Sequence, residues 1–409
     1  MPQVPKNGPL LIAAVAFPPF VTGSTVLCRN LWSAWPAEDL VVVSHRLAGF
    51  PTDPKLTLPG VTMRWIEQWP FRSPRAAAHL DPLAASTVTR ALLAAAEEFH
   101  PRAIWANWPS TSFVLGAWRA ARKLRLPFFV HLHDTWRETF RGRRRYVEQL
   151  AALLFESRVL RDADRVFTIT EEARDYYKET RGIDSYVLAH AVPDGDIADG
   201  PTPSTEVNTP AILHYAGSIY PVMNQDAVVN LVRALEYCKR PVILECFTPN
   251  GEASLAAAGI GGPRVRVRFG SKAEVMAAQR KSDIVVLPLA FQSTNPVEIR
   301  TVFPTKLLEY FVCGRPILVH APVDSWSSRN ARNNGWGAVA DSAEPKALAQ
   351  AIDTLLDDEE ARKTLVSAAK NAARLRAASA VAAGLRRELE KFAEAPSANP
   401  SGIMQGQLP

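Results

Sequence analysis

The sequence predicts an α/β protein made of two doubly wound parallel sheets, and three observations predict it. Apolar runs of strand length alternate with helix-period patterns along nearly the whole chain. The alternation stops once, near residue 200, at a stretch rich in Gly, Pro, Ser and Thr, and then restarts. At 409 residues there is material for two separate cores.

In the first half, strands are expected at 10–16, 40–44, 103–106, 128–132, 165–169 and 186–188. Helices are expected near 24–33, 83–99, 112–124 and 144–160, with one more after Thr170, where Thr170-Glu171-Glu172 supplies an N-cap and early acids. The first domain then spans 1–196 and a flexible linker 197–209. Pro193-Asp194-Gly195-Asp196 reads as a turn at this hinge, in preference to a metal-binding Asp-x-Asp pair.

The second domain, 210–394, is expected to carry strands at 212–216, 242–246, 265–269, 284–287 and 317–320, with helices at 226–237 and 272–279 and another opening at Pro304. Residues 345–394 turn to Ala, Leu, Arg and Glu, which implies two terminal helices. A polar tail, 395–409, is expected to be disordered.

Composition narrows the class. A hydrophobic fraction of 47% and a charged fraction of 22% are those of a globular protein. No apolar run reaches the roughly 18 to 20 residues that span a bilayer, and no cleavable signal pattern opens the chain, so a cytoplasmic location is expected. The four cysteines form no CxxC pair and read as reduced packing residues. Net charge is +6, yet Leu115 to Arg145 alone holds nine Lys or Arg against Asp134 and Glu138. Such a block draws phosphates on nucleic acid, lipid headgroups or a pyrophosphate-bearing acceptor, or is simply a solvated basic face.

The most informative stretch is 303–320, where Lys306 and Glu309 stand three apart on one helix face and a buried strand follows. Pro304 suits a helix's first turn and Gly314 its end. A helix opening at the edge of a parallel sheet favours a phosphate at its N-terminus, and Glu309, a turn further in, can accept from ribose hydroxyls. An ordinary surface ion pair fits the same spacing.

Loops after strands are the other places to look. The first runs Phe17 to Thr25 and holds Gly23, which lets backbone approach a ligand. It has no GxGxxG, which disfavours a dinucleotide cofactor. His131 and His133 end a strand before Asp134-Thr135-Trp136; a metal pair, a packed histidine and a ligand contact are all compatible with them. His214-Tyr215-Ala216-Gly217-Ser218 is a strand running into a glycine loop.

Pro304-Thr305-Lys306-Leu307-Leu308-Glu309-Tyr310, followed by Gly314-Arg315-Pro316, resembles the C-domain signature of the GT-B glycosyltransferases, especially their large retaining family 4. The first loop, His133-Asp134-x-Trp136, Ala163-Asp164 to Glu172 and the Gly217 loop are similar to further landmarks of that family, in order across about 10–340. The resemblance implies two Rossmann-like domains facing a cleft, with the donor nucleotide on the second domain and the acceptor on the first. It implies that Glu309 holds the ribose, that His133 meets the donor sugar near the reacting carbon, and that Gly23, Gly217, Ser218, Pro304, Thr305, Lys306 and Leu307 belong to the donor site.

The sequence departs from the family in two places. Where members follow the glycine of the phosphate loop with an arginine and then a lysine, this chain has Ser218, Ile219, Met223 and Asn224; Lys306, Arg300 and the helix start at Thr305 are the available substitutes. A second glutamate of the family is replaced by Thr301, with Glu298 nearby.

The expected function is transfer of a sugar from a nucleoside-diphosphate-sugar co-substrate, with retention, in bacterial polysaccharide or glycolipid synthesis. His133 and Lys306 are the expected catalytic residues, with no obligatory cofactor and no metal. The expected partners are the donor, a saccharide or lipid-linked acceptor and an anionic inner-membrane face reached through 119–145, with no nucleic acid. Trp118, Trp136, Phe140 and Tyr146 are aromatic residues able to seat at headgroup level or to pack in the core. The rival readings are a noncatalytic nucleotide-sugar-binding partner and a nucleotide-sugar 2-epimerase or hydrolase on the same fold.

Overall fold

A computed structural model of the chain describes residues 8–15, 17–46, 51–71, 73–141, 144–198 and 206–394. Most of the expected linker, the expected disordered tail and Arg143 lie outside the described residues.

Among the described residues the first sheet has seven strands: β1 (Leu10–Ala13), β2 (Leu40–His45), β3 (Thr62–Ile66), β4 (Ala103–Trp108), β5 (Phe128–Leu132), β6 (Arg165–Thr168) and β7 (Ser185–Val187). They lie in the order β3-β2-β1-β4-β5-β6-β7, all parallel. The second has six: β8 (Ala211–Ala216), β9 (Val242–Phe247), β10 (Val265–Arg268), β11 (Ile284–Pro288), β12 (Ile317–His320) and β13 (Ala338–Ala340), in the order β10-β9-β8-β11-β12-β13, also parallel.

Helices cover both faces of each sheet. In the first half they are α1 (Gly23–Trp32), α2 (Pro74–Leu80), α3 (Ala85–Phe99), α4 (Thr111–Leu124), α5 (Trp136–Thr139), α6 (Tyr146–Asp162), α7 (Glu171–Arg181) and α8 (Asp194–Ala198). In the second they are α9 (Gln225–Ala234), α10 (Glu252–Ala257), α11 (Lys272–Lys281), α12 (Pro296–Thr301), α13 (Leu307–Tyr310), α14 (Trp326–Asn334), α15 (Pro345–Asp357), α16 (Glu359–Arg374) and α17 (Ala378–Glu394).

The central strands read as continuous apolar runs because parallel strands are covered on both sides, and β1, β2, β4 and β5 are buried throughout. The edge strands β3 and β13 lack that signal and escape the sequence pattern: β3 is Thr-Met-Arg-Trp-Ile and mostly half-buried. Where two terminal helices are expected there are three. Asp358 ends α15 and caps α16, accepting from the Ala361 amide at 2.9 Å. Pro193-Asp194 opens the short helix α8 instead of a turn, because the Asp194 carboxylate accepts from the Ser379 amide and hydroxyl and ties this segment to α17.

The last helix returns to the first half. Ala378, Val381, Ala382 and Leu385 pack with Leu10, Ile12, Trp32 and Trp105 on one face of the first sheet. Val192 and Ala378 bracket this crossing with two backbone hydrogen bonds, at 2.7 and 2.8 Å. A core cluster of the second half also takes in Leu27, Ile169 and Val192 from the first, so the two halves share buried apolar surface.

In each sheet the strand order reverses beside the first strand, between β1 and β4 and between β8 and β11. Ligands of open parallel sheets bind at the carboxyl edge of such switch points.

Candidate active site

The loops at the two switch points face each other across a cleft of about 650 Å³. Gly23, Val26 and Asn30 of α1, with Val192, Pro193 and Asp196, line the first-half side. The second-half side is built from the segments that follow β8, β9, β10 and β11 and from 304–309. Among the lining residues the charged side chains are Asp196, Lys272, Lys306 and Glu309.

Lys306 is held by a neutral frame. Its Nζ donates to Tyr215 Oη at 2.9 Å and lies 4.2 Å from the centre of that ring. Tyr215, buried at the end of β8, donates to the Ser218 carbonyl at 2.7 Å and accepts from Asn224 Nδ2 at 2.7 Å. Among the described residues no carboxylate is a hydrogen-bond partner of Lys306. Burial therefore lowers the Lys306 pKa to about 7, with Glu309 working in the opposite direction. An ammonium whose hydrogen-bond partner is a phenol keeps its charge free to take an incoming anion.

Gly217 fixes the approach of this lysine. Its φ of +130° is a conformation that side-chain-bearing residues rarely adopt, and a Cβ there would sit 3.0 Å from Lys306 Nζ. The loop beyond it is pinned by two asparagines: Ile219 N donates to Asn250 Oδ1 at 2.9 Å, and Tyr220 N to Asn224 Oδ1 at 2.9 Å. Tyr310 of the signature stretch accepts from the Ala216 amide at 3.2 Å and so props the end of β8.

Residues 303–314 do not form the single helix expected. Only Leu307–Tyr310 is α-helical, and the flanking turns close through tighter bonds, such as Leu307 N to Pro304 O and Val312 N to Glu309 O. Lys306 and Glu309 still share the cleft face. Leu307 faces the other way, fully buried in the second-half core, and shapes the site only through its backbone. Thr305 stands opposite Gly23, its Oγ1 3.9 Å from where a Cβ on that glycine would be.

Glu309 has a cation of its own, Lys272 at the start of α11, with Nζ 3.7 Å from its carboxylate. Phe269 lines the same end of the cleft and is 84% exposed. Sequence reasoning missed Lys272, Phe269, Tyr215 and Asn250. The signal for Lys272 was its place just after a strand; the others act through contacts that no local spacing announces.

His133 does not line the cleft in this arrangement. It is 5% exposed, with Nε2 3.2 Å from His131 Nδ1 and its ring 5.6 Å from that of His190, which in turn meets Phe303 of the second half edge-on at 5.1 Å. Burial lowers the His133 pKa to about 4 and takes His131 and His190 well below the usual histidine range, so all three are neutral at pH 7. His131 Nε2 and His133 Nδ1 have no hydrogen-bond partner among the described residues. No group of three potential metal ligands has metal-binding geometry among those residues.

Two proposed stand-ins lie elsewhere. Arg300 is not among the lining residues; its guanidinium sits 5.7 Å from the centre of the Tyr176 ring on α7. Glu298 and Thr301 line a separate small cavity between the halves, where Asn295 Nδ2 donates to Glu298 at 2.7 Å. Of the basic stretch's aromatic residues, Trp118, Trp136 and Phe140 are core, at 7%, 0% and 2% exposure; only Tyr146 is outside, at 73%.

Residues 22–193 match the family model described as glycosyl transferase 4-like domain, and residues 203–372 match the one described as glycosyl transferases group 1. No curated protein matches the chain significantly in sequence. Among solved structures, sucrose-phosphate synthase from Thermosynechococcus elongatus aligns at 15% identity over 94% of this chain and 99% of the other, with a TM-score of 0.66. HepE from Anabaena, in complex with UDP and glucose, aligns at 15% over 94% and 100%, TM-score 0.65. The lipopolysaccharide outer core galactosyltransferase WaaB in its apo form aligns at 14% over 94% and 99%, TM-score 0.65. At such identities the likeness carries the fold.

Proposed function

We propose, from the premise that this chain is a GT-B glycosyltransferase with a 4-like first domain and a group 1 second domain, that it moves a sugar from a nucleoside-diphosphate-sugar to a saccharide or lipid-linked acceptor with retention of configuration. The observation that carries this reading is Lys306, a cation fixed by a phenol at a glycine loop, with Glu309 one turn away on the same wall. The diphosphate lies against Lys306 and the ribose against Glu309. HepE, a neighbour in fold, is solved with UDP and glucose, which makes uridine diphosphate sugars the first donors to test.

The chain's own residues bind, orient and neutralise. Bond cleavage leaves negative charge on the departing phosphate, and preorganised cations facing that oxygen are the largest source of rate in such a step. Lys306 is placed for this; Lys272 adds a second positive charge and positions Glu309. Asp196 and Glu309 are the carboxylates among the lining residues, and Glu309 is committed to the ribose, so this reading uses no carboxylate nucleophile. The departing phosphate takes the acceptor's proton, and no metal is obligatory. Movement of the halves about 197–209 brings the face carrying His133 to the sugar and excludes water.

A peripheral membrane location and a role in bacterial polysaccharide or glycolipid synthesis belong to the same proposal. No described helix is long and apolar enough to cross a membrane.

The test is incubation of purified protein with labelled nucleotide sugars, with and without acceptor saccharides or polyprenyl-linked acceptors. Acceptor-dependent transfer with the anomeric configuration kept supports the proposal. Acceptor-free conversion identifies the epimerase or hydrolase reading, and tight binding without turnover the noncatalytic one.

A further inference from the structure

Helix α6 is apolar on two opposite faces. Ala151, Ala152, Val159 and Leu160 are buried against the first-half core, whereas Tyr146, Leu150, Leu153 and Leu154 are 73%, 57%, 60% and 59% exposed. Their spacing puts all four on one stripe. Leu83, 64% exposed on the 3-10 turn Asp81–Ala84 that packs against α6, adds to it. Single exposed leucines are ordinary, but four large apolar side chains on one helical stripe mark an interaction surface.

Among the described residues, the free charge of α6 and of the segment leading into it is basic. Arg141 and Arg144 precede the helix and Arg158 and Arg161 lie near its end, all exposed. The carboxylates of α6 are turned away or engaged: Glu148 and Glu156 are buried, and Asp162 receives hydrogen bonds from Arg122 and Trp118. The helix follows β5 in a parallel sheet, so its Tyr146 end starts at the carboxyl edge, the edge on which the cleft opens.

We propose that α6 docks the protein on an anionic bilayer, with Tyr146, Leu150, Leu153, Leu154 and Leu83 seated at the headgroup–acyl boundary and the flanking arginines on lipid phosphates. Burial of apolar area and attraction to anionic lipid act together on such a face. A second copy of the chain is the poorer occupant, since two-fold pairing of this face opposes the same arginines to one another. This surface rests on the peripheral location proposed above and gives it a place on the fold; it does not depend on which donor the cleft takes, and it puts a membrane-bound acceptor at the rim of that cleft.

Full-length protein is sedimented at low salt with vesicles of phosphatidylcholine alone or mixed with phosphatidylglycerol, alongside Leu150→Ser/Leu153→Ser/Leu154→Ser and Arg141→Ser/Arg144→Ser variants. Nucleotide binding in the absence of vesicles serves as the control for folding and for the separate reading of the cleft. The parent is expected to bind the mixed vesicles and to come off in high salt. The leucine variant is expected to lose at least about tenfold in partitioning with nucleotide binding intact, and the arginine variant to lose its preference for anionic lipid. A parent that stays in the supernatant at low salt, or a leucine variant that sediments like the parent, overturns the proposal. So does sedimentation velocity that shows a parent dimer broken by the leucine substitutions, which makes the stripe an interface between copies.

Discussion

Over six strands the two sheets share an order, and each carries a glycine beside its switch point, Gly23 in the first half and Gly217 in the second, yet the walls they build differ in charge. The second-half wall has two lysines and a glutamate on a frame of buried phenol and amide groups; among the described residues the first-half wall has Asp196 as its one charged side chain. Behind the second wall lies a saturated hydrogen-bond network, and on the first-half side a set of neutral, packed histidines. Topology says where ligands bind, and charge decides which part of the substrate each wall takes. On the proposed reading the polyanionic part of the donor goes to the second wall, and the weakly charged sugar and acceptor go to the first.

The largest expected effect comes from removing the anion receptor. Lys306→Met is expected to lower transfer by about a thousandfold, the scale of losing a transition-state charge partner. The same change is expected to raise or leave unchanged the melting temperature at pH 6, where the wild-type lysine carries its charge in a buried place. Transfer close to the parent rate would erase the contrast between the walls.

His133→Ala tests the other side. A turnover loss of about 100-fold, with affinity for free nucleoside diphosphate unchanged, is expected if the histidine meets the sugar only in the closed state. A weakened nucleotide affinity would mean that the substitution had disturbed His190 and Phe303, and through them the second wall. Glu309→Ala is next in size: isothermal titration is expected to show donor binding weaker by about 1 to 3 kcal/mol, because the ribose hydroxyls lose a charged acceptor. Lys272→Ala is expected to lose less than Glu309→Ala, since its pair with Glu309 is long and exposed.

How much of this was legible follows the same division. The order of the central strands' apolar runs, the pause near residue 200 and the stretch Pro304 to Tyr310 are local, and each sits in a few consecutive residues. They located the fold and most of the second wall: Gly217, Ser218, Pro304, Thr305, Lys306 and Glu309 all reach the cleft, with Gly23 opposite. What stayed hidden is assembled over distance. Tyr215 meets Lys306 across 91 residues, and Lys272 meets Glu309 only because α11 begins where β10 ends. Arg300 looked like a phosphate ligand on charge alone, but the turn of α12 aims it at Tyr176. The aromatic residues of the basic stretch looked like a membrane anchor, but the anchor-like face is a leucine stripe that an apolar-on-both-sides helix conceals from a periodicity search.

The smallest effect is the one that reads the lysine directly. With an empty cleft, burial lowers the Lys306 pKa to about 7, so at pH 8 most molecules hold a neutral amine and at pH 6 most hold an ammonium. A bound diphosphate favours the ammonium and raises that pKa. Donor binding is therefore expected to take up close to one proton from solvent at pH 8 and close to none at pH 6. Affinity then falls as pH climbs above 7, by at most about tenfold per unit. The probe is a nucleotide sugar, because its pyrophosphate is esterified at both ends, whereas the terminal phosphate of a free diphosphate titrates in this window. Calorimetry in buffers of different ionisation enthalpy counts the proton, and the Lys306→Met protein is expected to show none at either pH. Equal uptake in both proteins would move the titrating group off the second wall and on to the histidines of the first.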